Sequence, residues 1–288
     1  MASPSTPVPT LLIIGGAEDR RGKARILRRF VKLAGGKNAS IVIIPTASSF
    51  QSEVVSAYAK LFMKIGIAGW DVVNPQTRAQ ASDPAGVAAL DAATGIFMSG
   101  GSQLRLSQIF AGTPMGDAIH RAHRRGAVIG GTSAGASIMS EFMISLGDEG
   151  VTPRQRTSQM SHGLGLLKGF VVDQHFAQRQ RYGRLMSLIS MSPNLIGIGI
   201  DEDTALEVQD GKRAVVHGRG GVYVLDCRSA ITDAPEARSG APLLVSGAVV
   251  HSLPAGATFD LEKLVLVDFV EKHPDVGITI TVAQSSRV

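Results

Sequence analysis

A serine set between glycines, Gly131-Thr132-Ser133-Ala134-Gly135, stands between an apolar run, Ala127 to Ile129, and a helix-like one, Ala136 to Met143. Strand, tight turn and helix around Gly-x-Ser-x-Gly make the sequence form of a nucleophile elbow, in which glycines let the chain bend while the serine Oγ stands clear of the backbone. The N–H groups that open the helix would face the same point and stabilise an oxyanion as it forms. The chemistry would be acyl transfer. In a chain with 33 glycines the pentapeptide alone is weak evidence, since a glycine-rich β–α turn around a small buried residue spells the same letters. Its strand–turn–helix setting carries the weight.

An activated serine needs a base, and the base needs a group to orient it. Among seven histidines, His120 and His123 lie on an Arg-rich helix face and His162 in a polar segment. His217, His251 and His273 lie in or near a β-rich tail. His175 differs, because it stands at a strand end just before Arg179, Arg181 and Arg184. Asp201-Glu202-Asp203 closes the apolar run Ile196 to Ile200, so one of these carboxylates can orient an imidazole on an adjacent strand. The residues alone leave open which one. The order Ser, His, acid differs from the Ser, acid, His order of α/β-hydrolases.

These groups need a scaffold, and the first two-thirds of the chain alternates strand and helix patterns. Thr10 to Ile14, Ser40 to Ile44, Asp71 to Val73, Gly95 to Met98, Ala127 to Ile129 and Gly169 to Val172 read as strands. Between most of them fall a basic helix ending at Gly35-Gly36 and helical patterns over Ser52 to Ile67, Pro84 to Ala92, Gln103 to Phe110, Met115 to Arg124 and Gln178 to Met191. The expected class is α/β: a mostly parallel central sheet with helices on both faces. From Ile196 onward short runs such as Ala205 to Val208, Arg213 to His217, Gly221 to Asp226, Leu243 to Val245, Val249 to Leu253 and Gly277 to Val282 imply antiparallel additions, either to the same sheet or as a small layer beside it. With no linker in view, residues 1–288 read as a single peptidase-sized α/β domain whose part from about 196 is β-rich. The polar segment Ser145 to Leu164 reads as a long loop of the lid or binding kind. Ligands of open parallel sheets bind beyond the carboxyl ends of the strands, where Gly15-Gly16-Ala17-Glu18-Asp19, Pro45-Thr46-Ala47-Ser48-Ser49, Ser99-Gly100-Gly101-Ser102-Gln103, Ser133 and Asp173-Gln174-His175 should converge.

Composition narrows the function. No apolar run approaches a membrane span and Met1 to Thr10 lacks the form of a signal peptide, so a soluble, cytoplasmic protein is expected. One cysteine, Cys227, excludes an internal disulfide framework, and no paired His/Cys spacing suggests a metal; no cofactor is expected. The net charge of +5 invites a nucleic-acid reading, yet aromatics make up only 5% and the basic residues cluster on helix faces where solvation explains them. Neither Gly-x-Gly-x-x-Gly nor a phosphate-binding P-loop occurs at a first strand.

Taken together, Ile13-Ile14-Gly15-Gly16-Ala17-Glu18-Asp19, Ile44-Pro45-Thr46-Ala47-Ser48-Ser49, Gly130 to Ala136, Asp173-Gln174-His175-Phe176 and Arg179 to Leu185 resemble the cyanophycinases, serine peptidases similar in fold to class I glutamine amidotransferases. The resemblance runs in order from about residue 10 to beyond Thr204. It implies a triad of Ser133, His175 and Glu202, an oxyanion hole from Ala134 and Gly101 N–H, and a substrate pocket of Gln103, Asp173, Gln174, Arg179, Arg181 and Arg184. It also implies a homodimer and, as substrate, cyanophycin: polyaspartate carrying arginine on each β-carboxyl, cut from its C-terminal end to β-Asp-Arg. Such a substrate presents guanidinium and carboxylate alike, so Asp173 could meet the first and the arginines the second. Two positions depart from the pattern: Ser102 stands where Asp or Asn is common, and Gln180 where glycine is frequent. An aspartyl dipeptidase for short Asp-X peptides and a non-catalytic polyanion-binding protein are the rival readings.

Overall fold

Runs such as Leu11-Leu12-Ile13-Ile14 and Ile41-Val42-Ile43-Ile44 are apolar at every position because both faces of their sheet are covered. The computed structural model describes residues 8–269, so Gly277 to Val282 and His273 lie outside the described residues. The elements begin with β1 (Thr10–Ile14), α1 (Arg25–Leu33), β2 (Ser40–Ile44), α2 (Gln51–Ile65), β3 (Gly69–Val72), α3 (Pro84–Ala92), β4 (Gly95–Met98) and α4 (Gln103–Phe110). There follow α5 (Pro114–Arg125), β5 (Val128–Thr132), α6 (Ala134–Ser137), β6 (Ser140–Gly147), β7 (Ser158–His162), β8 (Leu167–Gln174), α7 (Tyr182–Met191) and β9 (Ile196–Ile200). The described chain closes with β10 (Thr204–Gln209), β11 (Arg213–Gly218), β12 (Gly221–Asp226), β13 (Ile231–Thr232), β14 (Val245–Ser246), β15 (Val249–Pro254), β16 (Thr258–Asp260) and β17 (Val265–Asp268).

A nine-stranded sheet runs β17-β16-β11-β10-β1-β5-β4-β2-β3, parallel from β1 to β3 and antiparallel across the rest. A six-stranded sheet runs β15-β12-β9-β8-β6-β7, with parallel pairs β6–β8 and β8–β9 at its centre. Leu12, Ile14, Ile41, Ile43 and Phe97 of the first sheet pack on Phe30 of α1 and Tyr58 and Phe62 of α2. The alternate residues, Leu11, Ile13, Val42 and Met98, face α3, α4 and α5 and share one apolar cluster with Val172, Ile198 and Val224 of the second sheet. The outer face of the second sheet is covered by Leu185, Leu188 and Ile189 of α7.

The α/β class holds, and the placement of particular elements differs from or completes the expectation. The strand over Gly169 to Val172 and that over Ile196 to Ile200 do not extend the first sheet; they pair with each other in the second. Of the later strands, β10, β11, β16 and β17 add to the first sheet whereas β12 and β15 join the second. The helix expected over Ala136 to Met143 ends at Ser137, and the chain turns into β6, whose Phe142 and Met143 lie opposite Val171 and Val172. Apolar residues there satisfy either periodicity, and pairing with β8 decides. The loop expected over Ser145 to Leu164 contains the end of β6 and all of β7, and only the stretch between them and the two residues after β7 are irregular. Lastly, α7 begins at Tyr182, so Arg179 and Arg181 both precede it.

Candidate active site

Ser133 follows β5 with φ 55° and ψ −112°, a conformation that L-residues rarely adopt. Its N–H donates to the Ile14 carbonyl at 3.0 Å, which pins the turn to the end of β1. Five of the nine described non-glycine residues with positive φ, Ala17, Ser133, His175, Gln180 and Asp203, belong to this site or to turns beside it. Each costs on the order of 1–3 kcal/mol, so the surrounding packing is what holds the turns in place.

His175 comes from the other sheet, one residue past β8. Its Nε2 lies 2.9 Å from Ser133 Oγ and its Nδ1 2.6 Å from Glu202 Oε1. Glu202 stands where the chain leaves β9 of the second sheet and enters β10 of the first. The three groups therefore meet at the seam between the sheets. Of the neighbouring carboxylates, Asp201 accepts the N–H groups of Ala177 and Gly221, each at 3.0 Å, and Asp203 accepts that of Asp19 at 2.9 Å and pairs with Arg219. Both are committed to turns, which leaves Glu202 for the imidazole. Gly16 makes the approach possible: a Cβ there would lie 2.3 Å from the His175 ring.

Burial lowers the His175 pKa below 6.5; the hydrogen bond to Glu202 opposes this, and the charges of Arg179 and Arg181 add to it. A neutral imidazole near pH 7 can accept the serine proton, and the Glu202 carboxylate fixes Nδ1 as the protonated nitrogen, leaving Nε2 as base. Ala134 opens α6, so its N–H has no partner within the helix. Gly101, at φ 137°, lies so close to the Ala47 carbonyl that any Cβ would fall 2.1 Å from its oxygen. Gly100 packs directly on Ser133, its Cβ position 3.7 Å from Oγ. An N–H of this glycine pair and that of Ala134 are the candidates for a tetrahedral oxygen.

Of the remaining residues expected in the pocket, Asp173, Gln174, Arg181 and Arg184 form a connected group beside this relay. Asp173 is 1% exposed and binds Arg184 through both oxygens, to Nε at 2.6 Å and to Nη2 at 2.5 Å. Arg181 donates to the Gln174 carbonyl at 2.8 Å and to Gln174 Oε1 at 2.6 Å, and reaches Asp173 at 3.4 Å. Burial lowers the Arg181 pKa to about 10, with the Asp173 charge opposing. Arg179 is exposed, and Gln103 donates to the Ile144 carbonyl at 2.8 Å. Asp173 thus faces inward, neutralising one of two buried arginines, and the group keeps an excess of positive charge. Gly150 N–H donates to the Gln180 carbonyl at 2.8 Å, so the stretch between β6 and β7 closes over the turn carrying the arginines.

Both departures from the family pattern have a local account. Ser102 is the N-cap of α4, its Oγ accepting from Arg105 N–H at 3.3 Å, a task that Asp, Asn and Ser share. Gln180 sits at φ 51°, where glycine would be free of strain. Four groups next to Ser133 escaped the sequence reading as site residues. Glu18 is buried between the hydroxyls of Tyr58 and Thr132, and Arg20 stacks on Tyr58. The turn holding Glu18 was visible as a strand end, but the sequence placed Tyr58 simply among core residues of a helix. Among the described residues no group of three or more His, Cys, Asp or Glu is placed to hold a metal, and no helix is long and apolar enough to cross a membrane.

A serine relay on an α/β scaffold of this kind serves hydrolases that pass through an acyl-enzyme. Residues 11–216 match Peptidase family S51, and the chain belongs to this family of serine peptidases. It is 36% identical over 275 residues to the cyanophycinase of Nostoc sp., covering 94% of this chain and 92% of that one. It is 37% identical over 253 residues to the cyanophycinase of Geminocystis herdmanii, covering 87% and 93%. In structure it is similar to a peptidase from an acI-B1 Actinobacterium, with a TM-score of 0.64 and 21% identity over 89% of this chain and 98% of that one, a likeness of fold.

Proposed function

We propose that this peptidase hydrolyses cyanophycin from its C-terminal end, releasing β-Asp-Arg dipeptides, with Ser133 as nucleophile, His175 as general base and acid, and Glu202 as orienting carboxylate. The observation that carries the reading is the unbroken series from Ser133 Oγ through His175 to Glu202 at 2.9 and 2.6 Å, set beside the Arg181–Asp173–Arg184 group. Ser133 Oγ attacks the α-peptide carbonyl between two aspartates while its proton passes to His175 Nε2. The N–H groups of Ala134 and Gly101 receive the oxyanion, each worth about 3 kcal/mol. Collapse expels the amine of the terminal unit, which takes the proton from His175, and the shortened polymer remains as acyl-enzyme. His175 then deprotonates a water that attacks the ester and restores Ser133.

Gln103, Gln174, Arg179, Arg181 and Arg184 form the binding wall in this reading, with Asp173 holding two of the arginines in place. Carboxylates of the polymer supply the charge that those arginines lack. We further propose a cytoplasmic homodimer: the single cysteine fits a reducing compartment and the family resemblance supports the dimer, which sedimentation at the mass of one chain would remove.

Purified protein mixed with insoluble cyanophycin granules should clear their turbidity and release β-Asp-Arg, identified by mass spectrometry. Ser133→Ala should lower turnover by at least about 10⁴-fold while leaving granule binding intact. Release that survives the substitution would remove the serine mechanism, whereas cleavage of short Asp-X peptides without clearing would point to a dipeptidase.

A further inference from the structure

The turn Gly15-Gly16-Ala17-Glu18-Asp19 and the arginine after it have so far no part in the reaction beyond the packing of Gly16 on His175. Asp19 folds the turn by accepting the N–H groups of Arg21, Gly22 and Ala24 on its carboxylate. Glu18, 5% exposed, accepts the Thr132 hydroxyl at 2.5 Å and also the Tyr58 hydroxyl. Tyr58 is itself gripped by Phe97, with ring centroids 4.6 Å apart. The guanidinium of Arg20 lies 5.6 Å from the Tyr58 centroid, within range of a cation–π contact.

Two hydroxyl donors occupy the Glu18 carboxylate, and among the described residues Arg20 forms no ion pair. A positioned cation with no carboxylate partner among the described residues is therefore held at the rim of a cavity of about 190 Å³ whose lining includes Glu18, Arg20, Tyr58, Gly100 and Ser133. None of Gln103, Asp173, Gln174, Arg179, Arg181 or Arg184 lines this cavity, so it flanks the nucleophile independently of the arginine group. The lining offers the Arg20 guanidinium and the Ser133 hydroxyl, while the Glu18 carboxylate beside them is engaged by two hydroxyl donors, which suits a carboxylate of the substrate.

We propose that Arg20 is a specificity-determining residue, pairing with a carboxylate of the substrate on the Tyr58 side of Ser133. The cyanophycin arm of the test rests on the function proposed above. Arg20→Met, which keeps the length of the side chain and removes its charge, should raise KM for a soluble Asp-Arg oligomer about 10-fold while kcat stays within about threefold, and Arg20→Lys should recover most of the loss. An oligomer with its carboxylates amidated should be cut equally well by wild type and Arg20→Met. Equal KM on the acidic oligomer, or an equal penalty on the amidated one, would overturn the proposal. A second arm needs no turnover: an uncharged fluorophosphonate labels Ser133, and the acidic dipeptide Asp-Asp should protect wild type at about 10-fold lower concentration than Arg20→Met. Equal protection overturns the role of Arg20. Failure of wild type to cut the polymer, with protection still dependent on Arg20, would instead overturn the choice of cyanophycin.

Discussion

His175 is the residue on which the pH behaviour turns. Its pKa is lowered, so the base form is lost only as pH falls below 6.5, and kcat/KM should rise with pH through a midpoint under that value. The hydrogen bond that Nδ1–H donates to Glu202 favours imidazolium and works against the shift. Glu202→Gln should therefore move the midpoint further down while lowering kcat by about 10⁴-fold, through loss of the orienting charge and of the correct tautomer. A pH–rate series on a small Asp-containing peptide reads both effects. A midpoint that moved up would show that Glu202 does not govern the imidazole.

At the scale of elements, the site depends on turns that hold side chains in strained conformations. Gly16 lies against the His175 ring at φ 108°, and Gly16→Ala would place a Cβ 2.3 Å from it. A ring displaced by about 1 Å costs on the order of 10²-fold in rate, so this variant should retain its circular dichroism and lose most of its activity. Gln180 offers the reverse case. Its left-handed backbone carries a strain that a residue without a Cβ would relieve, so Gln180→Gly should raise unfolding stability by about 0.5–1 kcal/mol in urea titrations. The gain is small because glycine loses more freedom on folding. Unchanged or lower stability would mean that the turn is fixed by something other than local backbone preference.

Across the whole molecule, the two sheets are joined through a common apolar cluster, and a buried ion group ties α1 to β10 and β11. Glu207, fully buried, binds Arg29 of α1 at 2.6 and 2.7 Å and His217 of β11 at 2.9 Å. Burial raises its pKa, but the hydrogen bonds from His217 and Arg29 outweigh this and bring it to about 2 from 4.5. A depressed carboxylate pKa stabilises the fold above the unfolded value, so a contribution of about 3 kcal/mol should be present at neutral pH and lost as pH falls from 4.5 towards about 2. Denaturant unfolding from pH 7 to pH 3 should show that slope in wild type. Glu207→Gln should be less stable at pH 7 and flatter in acid; an equal acid slope would place the sensitivity elsewhere.

Sequence periodicity alone was enough for the parallel strands β1, β2, β4 and β5 and most of the helices, because continuous apolar runs bounded by turns have few other places to go. The letters around Ser133 and His175 already marked candidates for a serine and its base, since strand ends and glycine turns are local features, but they left Asp201, Glu202 and Asp203 equal as the acid until the family resemblance pointed to Glu202. What local pattern could not carry was the division into two sheets: β8 read like a further strand of the first sheet and β9 like an antiparallel addition to it or to a small layer beside it, and only cross-strand pairing joins the two in parallel in the second sheet. The same tertiary pairing turned Ser140 to Met143, expected as the end of a helix, into the start of β6. It also turned Asp173 inward onto Arg184, since which groups share a buried space is a property of packed elements and leaves no trace in spacing along the chain.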